Sequence, residues 1–295
     1  MKNRFMLATA ILCGASVGLA GQGTPTVDGS ITGGDIAIYG SAVATQNSQT
    51  GFGDSNNGTL FANGSELDQM YLAWDSTNLY VMLTGNLETN GNSIVLLVDN
   101  TNLGTGVSGT FTGVNGGDNY FQTNGAGVGM GGTVFPTGMN VDYLLLVKCF
   151  NSPLEWRYQK ANLTNSTTAA FGNFSTGATT NPAINSQNGY TFALNNANTA
   201  GVDAGSGATV GNPATVTTGL ELAIPLSEIP GTPTLNPSTG MKIFASVTNG
   251  GADFFANQTL PPGTPRGNDG GDPNYSALSG SSFTLPVNVS VYELE

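Results

Sequence analysis

The residues able to do chemistry narrow the options first. The chain contains no histidine, so a Ser-His-Asp or Cys-His catalytic arrangement is excluded. Its G-x-S-x-G match, Gly14–Gly18, lies inside an apolar leader rather than at a strand-to-helix turn. Gly127–Gly132 matches G-x-G-x-x-G, but a dinucleotide site needs a strand before it and a helix after it, and neither is predicted there. Zinc chemistry is equally poorly served, with Cys13 and Cys149 the only thiols. Calcium is the ion that this composition would suit, because it takes carboxylate, amide and carbonyl oxygens. The candidate ligands are Asp99, Asn100 and Asn102, followed by Asp118, Asp269 and Asp272. None has EF-hand spacing, and Asx turns or solvated loop carboxylates account for the same residues. Glu66, Asp68, Glu88, Glu155, Glu221 and Glu228 could supply a carboxylate pair for glycoside hydrolysis. Glu221 alternates with apolar Leu220 and Leu222, so it is predicted to face outward, and all six read as solvated acids. No enzyme is expected.

Aromatic rings are the remaining group able to hold a ligand, since sugars stack on flat apolar surfaces flanked by polar groups. Trp74 shares strand parity with Met70 and Leu72 and reads as core. Trp156 shares a face with Leu154 and Tyr158; that is also a core pattern, and the ring stands as a ligand candidate beside it. The loop rings Tyr120, Phe121 and Tyr275 are the better candidates for ligand contact, although loops also bury rings against a sheet.

The elements that must position these residues are strands. Glu66 to Asp99 reads as three strands with two turns. Met70, Leu72 and Trp74 share one face, as do Leu79, Val81, Leu83 and Leu87, which is the period of two of a half-buried strand. Asp75–Asn78 and Thr89–Asn92 supply the turn chemistry. Ile94 to Val98 is apolar throughout, so both of its faces should be covered. Strong strands are also expected at 141–150, 153–160, 219–226, 241–248 and 283–294, with weaker ones near 25–28, 109–114, 120–121, 167–171 and 190–194. Leu226–Ile229 should form a single helical turn stopped by Pro230-Gly231. Cys149 lies on the parity of Val141, Tyr143, Leu145 and Val147, which predicts a buried, inert thiol. Gly/Asn/Thr-rich insertions fall near 100–140, 161–218 and 249–282. Many short strands, Gly/Pro/Asn turns and no long helical period predict an all-β antiparallel sandwich, jelly-roll-like, in one domain over residues 21–295.

The first 20 residues carry Lys2 and Arg4 before an apolar run that ends in Gly18-Leu19-Ala20, the pattern of a secretory signal peptide. Removing Lys2 and Arg4 from the seven basic residues leaves five against 19 acidic ones, a net charge of −14. So little positive charge argues against nucleic acid and against an anionic membrane surface as partners. One cysteine would remain after processing, so no internal disulfide is expected. No apolar anchor is predicted at the C-terminal end, and no membrane insertion after signal cleavage.

Trp74–Asp99 resembles the strand pair of family-nine carbohydrate-binding modules and related DOMON-like sandwiches, in which an aspartate turn precedes a Leu-Tyr-Val strand. GLELAIPLSEI (Gly219–Ile229) resembles a later strand of the same group, and Val27–Ile31 its first strand. These pieces cover about a quarter of the chain. GFGD (Gly51–Asp54), GSELD (Gly64–Asp68) and FFANQTLPPG (Phe254–Gly263) are similar to segments of bacterial secreted surface proteins, many of which carry a C-terminal sorting tail. The resemblance implies a sandwich fold and, by analogy alone, glycan binding; the facing Trp pair of family nine has no counterpart here. The reading carried forward is a secreted, non-catalytic sandwich at the cell surface or outside the cell that binds a polysaccharide or surface glycan through loops at one end. The alternative is a structural surface or matrix protein that self-associates, and a glycoside hydrolase stands third.

Overall fold

The computed structural model describes residues 18–19, 21–53, 60–61, 64–122, 128–150, 152–164, 170–175, 178–199, 211–231 and 240–284. Most of the leader and the part of the expected final strand beyond Thr284 lie outside them, as does Gly127 of the G-x-G-x-x-G match. Among the described residues two β-sheets pack face to face.

Short pieces come first: β1 (Gly18–Leu19), β2 (Gly21–Gln22), a five-residue helix α1 (Asp35–Tyr39), β3 (Ala44–Thr45) and β4 (Phe52–Gly53). The expected meander follows as β5 (Gly64–Trp74), β6 (Asn78–Asn86) and β7 (Asn90–Asn100). After the first insertion come β8 (Tyr143–Phe150), β9 (Glu155–Asn162), β10 (Ala170–Ser175), β11 (Ala183–Gln187) and β12 (Tyr190–Leu194). The chain continues through β13 (Gly219–Pro225), β14 (Met241–Thr248), β15 (Phe255–Leu260) and β16 (Ser281–Thr284). One sheet runs β1-β16-β14-β7-β8-β9-β10, with β15 also on β14. The other runs β11-β12-β13-β6-β5-β2, with β3 and β4 also on β5. The meander is therefore split: β5 and β6 lie in one sheet and β7 in the other.

The interior between the sheets takes the parity expected: Met70 and Leu72 from β5, Val81 and Leu83 from β6, Tyr143, Leu145, Val147 and Cys149 from β8. Ile94, Leu96 and Val98 of β7 point into the same layer, while Val95 and Leu97 point the other way into a second core. That second core forms outside the sheet, beneath the 100–140 and 249–282 insertions, which explains why β7 is apolar on both faces. A third cluster covers the outer face of the β5–β6–β13 sheet: Tyr71, Tyr80, Met82 and Ala223 pack under Ile31 and Tyr39. The segment leading into and through α1 is thus a strap. The strand expected near 25–28 is not formed; this region contributes an isolated bridge between Ser30 and Thr218. Its backbone is fixed instead by a carboxylate beneath it, described below. Residues 120–121 form a turn rather than a strand; of the strand expected near 167–171, β10 is described from Ala170, and 167–169 lie outside the described residues. The Leu226–Glu228 turn forms as expected, as a 3-10 turn. No helix among the described residues is long and apolar enough to cross a membrane.

Candidate functional site

The four rings singled out from sequence all belong to cores. Trp156 is fully buried against Phe192, with ring centroids 5.7 Å apart. Phe121 and Tyr275 lie in the outer core, Tyr275 packing on Phe244 at 5.0 Å. Tyr120 is buried there too. A buried ring presents no face to a sugar, so none of the four is a stacking platform. The physical reason is that the long insertions are not solvated loops; they form a lid with apolar residues of their own.

Two of the candidate calcium ligands, Asp99 and Asn100, make contacts within the protein, whereas the Asn102 side-chain NH2 is buried without a hydrogen-bond partner. The Asp99 carboxylate accepts a hydrogen bond from the Asn140 amide at 3.1 Å and lies 3.9 Å from the Lys242 ammonium. Burial raises its pKa, against the pull of both partners. Asn100 donates its side-chain amide to the Pro230 carbonyl and accepts from the Asn102 amide. Asp142 accepts from the Asn100 amide at 2.8 Å, and burial lifts its carboxyl to about 6. These oxygens serve backbone donors, and the Lys242 ammonium stands beside Asp99. Among the described residues no three acidic, His or Cys side chains gather in a metal-binding group.

At one end of the sandwich the three short sequence motifs meet. The Gly51 amide donates to the Asn257 side-chain oxygen at 2.9 Å, and Asn257 returns its NH2 to the carbonyls of Gln49 and Arg266. Gln258 accepts from the Leu67 amide and donates to the Ser48 carbonyl. Ser48, Gln49, Gly51 and Leu67 are thereby pinned to β15 by two buried amides that supply donors and acceptors a loop backbone otherwise lacks. The pinning brings Phe52 beneath Phe254. Their rings lie 6.1 Å apart and 12° from parallel, and Phe254 is 43% exposed. Phe52 packs on the main core, so the exposed ring rests on an anchored one.

The turn that carries Phe254 also borders a cleft of about 400 Å³, within the roughly 300–1,000 Å³ of small-molecule sites. The cleft is lined by the Thr89–Gly91 turn, Gly250, Lys148, Phe150 and Arg157. Lys148 and Arg157 are directly opposite one another in the β8–β9 register. Lys148 donates to the Gly250 carbonyl at 2.8 Å and sits 4.1 Å from the centre of the Tyr120 ring. Arg157 pairs with Asp118 at 3.1 Å and lies 4.9 Å from the centre of the Phe150 ring. Tyr120, expected to touch ligand, instead backs the two cations from behind. A second cleft, of about 470 Å³, is lined by Ser76–Asn78, Gly189 and Pro225–Ser227 and offers neither a charge nor a ring.

Glu221 is the clearest departure from the sequence reading. It faces outward from β13 as predicted, yet it is fully buried because the strap covers that face. One carboxylate oxygen accepts from the Asp28 and Gly29 amides at 2.9 and 2.8 Å, and the other from the Tyr39 hydroxyl at 2.6 Å. Burial raises its pKa to about 7; the three donors pull it down and the nearby Asp28 charge pushes it up.

Compared with protein-family models and with curated proteins, the chain finds no match in either set.

Proposed function

We propose that this protein is a secreted, non-catalytic binding module that holds a glycan or another surface component at the end of the sandwich bearing Phe52, Phe254 and the Lys148 cleft. The observation that carries the reading is the Phe52–Phe254 stack, an exposed ring laid on a partly buried one that packs on the core, next to a cleft. Most large apolar side chains of the described residues are buried, and Phe254 is one of three exposed ones, with Ile36 and Ile184. A flat ring held rigid by its neighbour loses little freedom when a sugar ring stacks on it. The family-nine resemblance points the same way by analogy.

The test is binding of the protein to a panel of soluble and insoluble polysaccharides, with and without calcium. Saturable binding to one class is expected, lost in Phe254→Ala and kept in a substitution at exposed Ile36. Binding to no member of the panel, or equal binding by Phe254→Ala, refutes the reading. A second reading, self-association, is favoured by exposed Ile184 on β11, the last strand of its sheet among the described residues. Light scattering over a range of concentrations tests it, a monomer throughout being the refuting outcome.

A further inference from the structure

Five basic residues lie within the described parts of the chain: Lys148, Arg157, Lys160, Lys242 and Arg266. Four of them meet a carboxylate: Arg157 meets Asp118, Lys160 Glu228, Lys242 Asp99, and Arg266 Asp269. Lys148 has no carboxylate partner among the described residues, although it is buried to 6% exposure. A buried ammonium without a counterion is costly, and a protein so short of cations gains nothing general from keeping one there. Besides the Tyr120 ring face 4.1 Å away, its hydrogen bond to the Gly250 carbonyl uses one of the three donors that an ammonium carries. The residue directly across the sheet is a second cation, Arg157, and like charges so placed repel. Asp118 neutralises only one of the two. The Nε–H of Arg157 is a further unmet donor, buried and without a hydrogen-bond partner. Phe150 lines the same cleft, with the Arg157 guanidinium 4.9 Å from the centre of its ring.

We infer that the cleft binds the anionic group of an acidic saccharide, a uronate carboxylate, with Lys148 as its counterion and Phe150 against the sugar ring. The inference rests on the glycan-binding reading and names the class of sugar that the site takes. The chain carries a net charge of −12, so a long polyanion would be repelled at a distance; a saccharide with one acidic unit avoids that.

The experiment is calorimetric titration of the protein with three matched oligosaccharides. One ends in a uronate, one is its carboxyl-reduced neutral counterpart, and one carries a sulfate on the neutral sugar. The uronate ligand should bind at least 10-fold more tightly than the neutral one. Lys148→Met should lose roughly 10- to 100-fold in uronate affinity, the range for a hydrogen bond to a charged group, and a much smaller factor in affinity for the neutral ligand. Lys148→Arg should stay within a few-fold of the native protein. Equal binding of uronate and neutral ligands, or an unchanged Lys148→Met, overturns the inference while leaving the module reading intact. Preference for sulfate over uronate keeps an anion site and overturns the assignment to carboxylate. Uronate binding that survives Phe254→Ala, with the neutral ligand unbound, keeps the inferred site and refutes the stacking platform. Should Lys148→Met fail to fold by near-ultraviolet circular dichroism, the matched ligands on the native protein and Lys148→Arg decide the question.

Discussion

Replacing Glu221 with Gln removes a buried charge without removing its shape. In the folded protein the carboxyl titrates near 7 against an ordinary 4.5, so the folded state holds a proton that the unfolded state releases between those values. Stability contributed by this group is therefore fully present below about 4.5, falls as pH rises toward 7, and is flat above that. At about 1.4 kcal/mol per pH unit the gap amounts to about 3 kcal/mol lost between pH 4.5 and pH 8. A Gln oxygen can still accept from the Asp28 and Gly29 amides, and its NH2 can donate to the Tyr39 hydroxyl. Glu221→Gln should then melt about 6–12 °C above the native protein at pH 8–9, at 2–4 °C per kcal/mol for a chain of this size. The gap should shrink as pH falls to 5. Scanning calorimetry of both proteins at five pH values reads the difference. Asp142, Asp99 and Glu88 also titrate high but are present in both proteins, so their contributions cancel. Melting curves that stay parallel from pH 5 to 9 would refute the argument.

The other predictions concern packing. Asn196 is buried, accepts from the Leu87 amide, and donates to the carbonyls of Leu87 and Leu60; Asn196→Ala orphans these groups and should cost about 2–4 kcal/mol, read as a urea midpoint shift at constant slope. Gly85 has φ +130°, and a Cβ there would stand 2.1 Å from the Glu66 carbonyl oxygen. Gly85→Ala should abolish soluble expression, whereas Gly109→Ala, at φ +70° with nothing within 4 Å, should lose only about 1–2 kcal/mol. Cys149 is fully buried and its thiol is pushed up by that burial. In a Cys13→Ser chain an aromatic disulfide reagent should therefore titrate no thiol in the native state and one in denaturant.

The parts of the fold that were legible in the sequence are those set by near neighbours. The alternation of Met70 and Leu72, or of Val81 and Leu83, needs only the pleat, and the apolar run of β7 announced two covered faces. What covers a face is decided elsewhere in the chain. Parity sent Glu221 outward correctly; that outward meant buried depended on Tyr39, 182 residues earlier. Tyr120, Phe121 and Tyr275 were misplaced for the same reason, because insertions without strand periodicity still built a core. The Phe52–Phe254 stack joins residues from two motifs whose resemblance was visible but whose meeting was not. Lys148 did leave a signal. It follows Leu144 and Leu146 on one parity of β8, and a lysine closing an apolar stripe marks the point where a covered face opens.

The splitting of the meander between two sheets has a consequence in time. β7 finds its second neighbour, β14, only after about 140 further residues have been made, and β6 waits almost as long for β13. At about 5–20 residues per second, both strands spend roughly 7–30 s of synthesis with a bare hydrogen-bonding edge. Pairings that join such distant segments also close slowly once the chain is complete. The polar turns flanking these apolar strands, Asp75–Asn78 and Thr89–Asn92, therefore matter before the sandwich exists, when they are the only local brake on a growing sheet meeting another copy of itself.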